Sequence, residues 1–210
     1  MIKLHHLNQS RSKRIIWLLE ELGLEYEVVA YQRDSVTFLA PPELKSVHPL
    51  GKSPVIEEDG IVITESGAIT EYLIEKYGAD KLAPKRGTQA YTEYLQWLHF
   101  AESSAILPLL LKVFVAKDGA EMNFLDGYAE VETQKVMSYF DASLEGKTYL
   151  VEERLTGADI MMSFIAEMLY KFGMLEQFSN IKRYAARLEE HPAYQKANAI
   201  EADYDVTVSH

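Results

Sequence analysis

The stretch LGKSPVIEEDGIVITESGAITEYL, residues 50–73, holds two short apolar runs, a proline ahead of the first, Asp59-Gly60 between them, and Glu65-Ser66 where the pattern turns helical. The flanking runs PVIEE and IVIT have the composition of paired strands, and Asp-Gly supplies the two positive φ angles of a tight hairpin turn. Pro54 has no N–H to give to a ladder, so it belongs at a strand's first residue. From Ser66 onward Ile69, Tyr72, Leu73 and Tyr77 recur at helical spacing, and Gly78 ends the run. The stretch thus predicts strand, hairpin, strand and helix in succession.

Upstream, Ile2 to Leu7 reads as a strand, Asn8 to Ser12 as a polar cap-like turn, and SKRIIWLLEELG as a helix stopping at Gly23. YEVVAY from Tyr26 alternates and is β-branched, so it reads as a second strand. APPELKSVHPLG, with three prolines, has room for only a short helix. The order is β-α-β-α-β-β-α. Downstream, GADKLAPKRGTQ is polar and turn-rich, and everything after it is helical in pattern. YTEYLQWLHFAESSAILPLLLKVFVA is one long helix or one broken near Pro108. YAEVETQKVMSYFDASLEG is amphipathic, and LTGADIMMSFIAEMLYKFG is apolar nearly all round, hence buried. In LTGADI, Thr156 and Asp159 have the spacing of a capping box and Leu155 and Ile160 that of a hydrophobic staple, a folding device without chemistry.

The chain has 210 residues, 48% hydrophobic and 25% charged, enough for one domain or two small ones. A net charge of -11 with no basic run argues against nucleic acid. The absence of cysteine excludes disulfides, thiolate metal sites and a cysteine nucleophile, so any thiol chemistry uses a thiol brought by the substrate. The six histidines are scattered without a metal-ligand motif, and no metal is expected. The N-terminus lacks an apolar signal core, and AILPLLLKVFVA is too short for a membrane span; a cytoplasmic protein is the expectation.

Three places can hold a small zwitterion with a thiol. At Glu65-Ser66 a helix N-terminus offers unpaired N–H groups to a carboxylate, Ser66 a hydroxyl, and Glu65 a partner for an ammonium; the plainer alternative is that Thr64 or Ser66 caps the helix. At Ser53-Pro54 a cis peptide bond would turn the Ser53 backbone outward for strand addition, whereas a trans bond would simply begin a strand. Lys52 beside it can meet a second carboxylate or stand in solvent. In NQSRSKR, Ser10 and Ser12 read as helix caps, or as donors to a substrate thiolate aided by Arg11, Lys13 and Arg14. A free thiol ionises near pH ~8.5, and a charge-assisted hydrogen bond of about 1.5–3 kcal/mol lowers that by about one to two units.

Taken together, these residues resemble the cytosolic glutathione transferase family over essentially the whole chain. HPLGKSPVIEEDG is similar to that family's cis-proline loop, ITESGAITEYL to its glutathione head-group helix, TGAD to the capping box of its second domain, and LNQSRSKRIIWLLEELGL to the N-termini of serine-using bacterial and fungal members. The resemblance implies an α/β thioredoxin-like domain over residues 1–80, a linker over 81–88 and an all-α domain over 89–210. It also implies glutathione as co-substrate, with Ser10 holding its thiolate, Ser53 and Pro54 pairing with its cysteinyl part, Lys52 facing its glycine carboxylate, and Glu65 and Ser66 gripping its γ-glutamyl end. Tyrosine-using classes keep their tyrosine where this chain has His6, so His6 either rivals Ser10 or makes a structural hydrogen bond at the strand end, and Ser12 is close enough to compete as well.

The family's electrophile pocket implies Phe100, Ser103, Ser104 and Leu107 as lining, against a plain core reading. The expected activity is conjugation of glutathione to small hydrophobic electrophiles, or hydroperoxide reduction, in a detoxifying homodimer with no membrane or nucleic-acid partner. A glutathione-dependent lyase or isomerase is a third option. A non-catalytic carrier or interaction module on the same fold is the alternative class.

Overall fold

The structure is a computed structural model that describes residues 1–119 and 123–205. The chain divides into two compact units, residues 1–79 with 189–210, and residues 80–188.

The first unit is a thioredoxin-like α/β layer. Strands β1 (Ile2–Leu7), β2 (Tyr26–Tyr31), β3 (Val55–Glu58) and β4 (Ile61–Thr64) form one sheet in the order β2-β1-β3-β4. β1 runs parallel to β2 and antiparallel to β3, and β3 and β4 form the hairpin expected at Asp59-Gly60. Both turn residues have positive φ, 50° and 81°, which is why glycine follows aspartate there. Helix α1 (Ser12–Leu22) stops at Gly23, which is left-handed at φ 65°.

The proline-rich connection holds only the short α2 (Leu44–Val47). Helix α3 (Ser66–Tyr77) packs on α1, and a Cβ at Gly78 would lie 2.4 Å from Leu22. The buried face of α3 is Ser66, Ile69, Thr70, Leu73 and Ile74. Tyr72 and Tyr77, read from the sequence as part of that face, instead donate their hydroxyls to the buried carboxylate of Glu58, because their polar tips need a partner. Helix α10 (Pro192–Tyr204) also packs on α1 within this unit.

The second unit is helical throughout its described residues: α4 (Ala79–Leu82), which begins at its edge, α5 (Gln89–Phe100), α6 (Ile106–Asp118), α7 (Asn123–Ser143), α8 (Gly157–Lys171) and α9 (Ser179–Glu189), whose last residue belongs to the first unit. α5 and α6 are joined by a π-turn over Ala101–Ala105. Pro108 cannot donate to the turn before it and crowds the carbonyl four residues back, so the widened turn lets the helix continue instead of breaking. The run Gln89–Asp118 is thereby 30 residues long and, by length and composition alone, apolar enough to cross a membrane, longer than the apolar stretch marked in the sequence. Within this unit it packs on α7 and α8, burying Ala101, Ala105, Ile106 and Leu109.

α8 is buried along most of its length, as its all-round apolarity predicts, and starts with the expected capping box of Thr156 and Asp159 over buried Leu155 and Ile160.

Candidate glutathione site

Strand register brings three of the sequence candidates together. His5 pairs with Val55 and Val55 with Thr64, so the end of β1, the start of β3 and the end of β4 leave the sheet at one edge. At that edge Ser53-Pro54 directly precedes β3, Glu65-Ser66 directly follows β4, and Ser10 lies in the loop that follows β1.

The first two loops are stitched through one backbone amide. Leu7 N–H donates to Ser53 Oγ at 3.1 Å and to Ser12 Oγ at 3.3 Å. Ser53 Oγ in turn donates to the His5 carbonyl at 2.8 Å. The Ser53–Pro54 bond is cis. Pro54 is buried, Ser53 half-buried and Lys52 exposed.

Ser10, Ser12 and His6, the three competing groups, form one hydrogen-bonded line. Ser10 Oγ and Ser12 Oγ lie 2.7 Å apart, and Ser12 Oγ lies 2.7 Å from His6 Nδ1 and 3.1 Å from the Leu7 carbonyl it can donate to. Ser12 and His6 are 0% exposed, whereas Ser10 retains 7%. Of the three, Ser10 alone retains any exposed surface. It also accepts the Ser12 N–H at 3.2 Å, and in its contact with Ser12 Oγ either hydroxyl can be the donor; the cap position of α1 is taken by Arg11, without a side-chain cap bond.

The loop between β1 and α1 is held from the far end of the sequence. Asn8 donates to Asp205 at 3.0 Å and accepts the Arg33 N–H at 2.8 Å. Gln9, at φ 52°, donates its N–H to Glu201 Oε1 at 2.9 Å. Glu201 Oε2 lies 3.1 Å from His6 Nε2, off the line of an aligned hydrogen bond. Burial first, and the Arg11 charge second, hold the Arg33 guanidinium below its usual pKa, so cationic groups flank this loop.

At β4–α3, Glu65 occupies the cap position with φ 67° and ψ 116° and makes no side-chain cap bond. Its side chain is exposed and Ser66 is buried. A left-handed φ on a glutamate is costly, and such strain concentrates at ligand sites.

Among the residues suggested as electrophile lining, Phe100 stacks edge-on against Trp97 at 5.2 Å and packs by Tyr139. These aromatics line an open cleft of about 830 Å³ with Gln89, Gln96 and Lys147. Ser103, Ser104 and Leu107 are outside that cleft's lining and exposed, so they are not core; Ser103 donates to the His99 carbonyl at 2.9 Å.

Sequence reasoning missed Glu201, Asn8 and Asp205. Glu201 and Asp205 lie almost two hundred residues from the loop they fix, and no local pattern marks them.

Residues 1–75 match the family model described as "Glutathione S-transferase, N-terminal domain", and residues 123–192 match "Glutathione S-transferase, C-terminal domain". The chain belongs to the glutathione S-transferase family. It is 35% identical over 92% of its length to Glutathione S-transferase 3 of Schizosaccharomyces pombe, covering 85% of that protein. The crystal structure of a glutathione S-transferase from Actinobacillus pleuropneumoniae superposes with a TM-score of 0.87 at 38% identity, over 100% of this chain and 98% of that one. These relatives give the enzyme class, glutathione S-transferase, as well as the fold. The chain is also 30% identical over 73% of its length to Elongation factor 1-gamma-A of Xenopus laevis, but covers only 36% of that protein.

Proposed function

We propose that the protein ionises glutathione at Ser10 and conjugates the thiolate to small hydrophobic electrophiles. The observation that carries this reading is that Ser10, though buried, keeps 7% of its surface exposed beside the fully enclosed Ser12 and His6. With one lone pair taken by Ser12 N–H and the other accepting from Ser12 Oγ, the Ser10 hydroxyl would be left to donate to a sulfur anion. The first-turn N–H groups of α1 and flanking Arg11 and Arg33 favour negative charge nearby.

The edge of the sheet suits the rest of glutathione. The Ser53 backbone would pair with the cysteinyl part as an added strand, beside Pro54. Lys52 would meet the glycine carboxylate. Ser66 and the uncapped N-terminus of α3 would take the γ-glutamyl carboxylate, and Glu65 its ammonium. Residues 1–80 would form the glutathione domain, followed by a linker over 81–88 and a helical domain over 89–210, from which Phe100, Ser103, Ser104 and Leu107 would face the electrophile. Positioning the thiolate against its target would supply most of the remaining rate gain. A cytoplasmic homodimer with a detoxifying role, reducing hydroperoxides as well, completes the reading.

The test is the ultraviolet absorbance of bound glutathione's thiolate titrated with pH in the wild type and Ser10→Ala. The bound thiol should ionise about one to two units below its free value, and the variant should lose that shift along with roughly 10- to 100-fold of turnover, at little cost in affinity. The likeness to elongation factor 1-gamma-A favours a second reading, a non-catalytic module. An unshifted thiol despite binding would establish that reading and overturn the first.

A further inference from the structure

Three groups from both ends of the sequence line up behind Ser10: Ser12 Oγ at 2.7 Å, His6 Nδ1 at 2.7 Å from Ser12, and the Glu201 carboxylate 3.1 Å from His6 Nε2. The geometry points to His6 as a positioning residue that holds the proton released by the glutathione thiol, received through Ser10 and Ser12 and balanced by Glu201. The inference rests on the reading of Ser10 given above.

A hydroxyl has one proton and two lone pairs. One lone pair of Ser12 takes the Leu7 N–H. This leaves one lone pair and one proton, the latter also within reach of the Leu7 carbonyl at 3.1 Å; with the proton given to Ser10 or His6, the line has two self-consistent directions. In the first, Ser10 donates to Ser12 and Ser12 donates to a bare His6 Nδ1. In the second, His6 Nδ1–H donates to Ser12, Ser12 donates to Ser10, and the Ser10 proton points outward.

Only the second direction lets Ser10 donate to a thiolate, and a thiol arriving at the first converts it to the second. The S–H bond breaks and its proton joins Ser10 Oγ. The former Ser10 proton moves to Ser12, and the former Ser12 proton forms the new N–H bond at His6 Nδ1. The electron pair of the S–H bond stays on sulfur. The products are a thiolate, an imidazolium and the existing carboxylate, with no atom or charge gained or lost.

Glu201 explains why the acceptor is a histidine in a closed pocket. An imidazolium without a partner would be expensive there, and a carboxylate at 3.1 Å offsets that cost. Glu201 and Tyr204, both of α10, are titratable side chains set against this ring. The same carboxylate fixes the loop by accepting the Gln9 N–H. His5, the next residue along β1, points to the opposite face of the sheet and pairs with Glu57, outside this line.

His6→Asn isolates the proton from the positioning. An asparagine amide oxygen can stand near Nδ1 and accept from Ser12, but it takes up no proton. Glutathione titrated calorimetrically at one pH, in two buffers of different ionisation enthalpy, counts the protons handed to solvent. The wild type should release fewer protons per bound glutathione than His6→Asn. The variant's thiolate absorbance should appear about one pH unit higher, roughly tenfold less thiolate at a given pH. Glu201→Gln, equal in size, should shift both readouts the same way by about threefold, and carries the test if His6→Asn fails to fold.

Equal proton counts and superimposable absorbance curves in whichever variant binds glutathione would overturn the relay. If Ser10→Ala alters the curve while those variants do not, the relay alone falls. If Ser10→Ala leaves the curve unchanged, the Ser10 reading and the relay fall together.

Discussion

At the start of α8 the chain answers its own helix end, while at the start of α3 it does not. Asp159 is fully buried and accepts from Leu150 N–H, Thr156 N–H, Thr156 O–H and Tyr184 O–H at 2.8–3.0 Å. Thr156 holds an ordinary extended conformation, φ -134° and ψ 171°. Glu65, at the same position relative to α3, is exposed, makes no cap bond and sits at φ 67°. Both termini have the same dipole and the same orphan donors. One is closed by its own side chains, whereas at the other the residue in the cap position makes no side-chain bond and holds a strained φ. A helix end left open and strained is where a carboxylate ligand would be bound, and a closed one is where a fold is locked.

The largest break in that contrast should come from Asp159→Ala. It strands three buried donors, Leu150 N–H, Thr156 N–H and the Tyr184 hydroxyl, at roughly 1–3 kcal/mol each, so about 3–5 kcal/mol of stability should vanish in urea denaturation. The pH dependence sharpens it. Burial pushes the Asp159 carboxyl up to about 6 in spite of its four donors. Between about pH 4 and about pH 6 the folded chain holds a proton that the unfolded chain has lost. The stabilisation from this group is therefore complete below about pH 4 and lost as pH rises through about 6. Asp159→Asn, uncharged throughout, should lack that slope. A wild type whose stability rises across that window relative to the variant would show an ordinary paired carboxylate instead.

Ser66→Ala tests the open end. The site reading expects glutathione binding to weaken about tenfold, equivalent to ~1.4 kcal/mol, with less than about 1 kcal/mol lost in stability. The reverse pattern, stability lost and affinity kept, would make α3 a second closed terminus.

Much of this was legible because it is local. The strand bounds of β1 and β2, the stops at Gly23 and Gly78, the Asp59-Gly60 hairpin and the Thr156–Asp159 box each follow from a few adjacent residues. The hairpin register of the structure sets Val55 opposite Thr64, which puts Ser53, Pro54, Glu65 and Ser66 at one sheet edge. What periodicity cannot carry is contact across the sequence. Ser10, Ser12 and His6 read as alternatives because their order in a line depends on how β1 meets α1, and Glu201 reaches them only through the packing of α10 on α1. The π-turn was likewise hidden, since Pro108 announces a break but not how neighbouring helices repair it. The strain at Glu65 left no trace because glutamate is a poor residue for positive φ, and its presence there goes against local preference.

That mismatch gives the smallest and most direct test. A non-glycine residue held in a sparsely populated backbone region costs about 1–3 kcal/mol, and glycine escapes that cost while losing about 0.5–1 kcal/mol of extra unfolded-state entropy. Glu65→Gly should therefore stabilise the fold by about 1 kcal/mol in urea denaturation while weakening glutathione binding through loss of the carboxylate. Glu65→Gln keeps the backbone cost and removes only the charge, so it should weaken binding without the gain in stability. If Glu65→Gly destabilised the protein, the conformation at 65 would be held by favourable contacts and not against a cost. The open terminus would then lose its energetic signature, leaving only its missing cap to set it apart from α8.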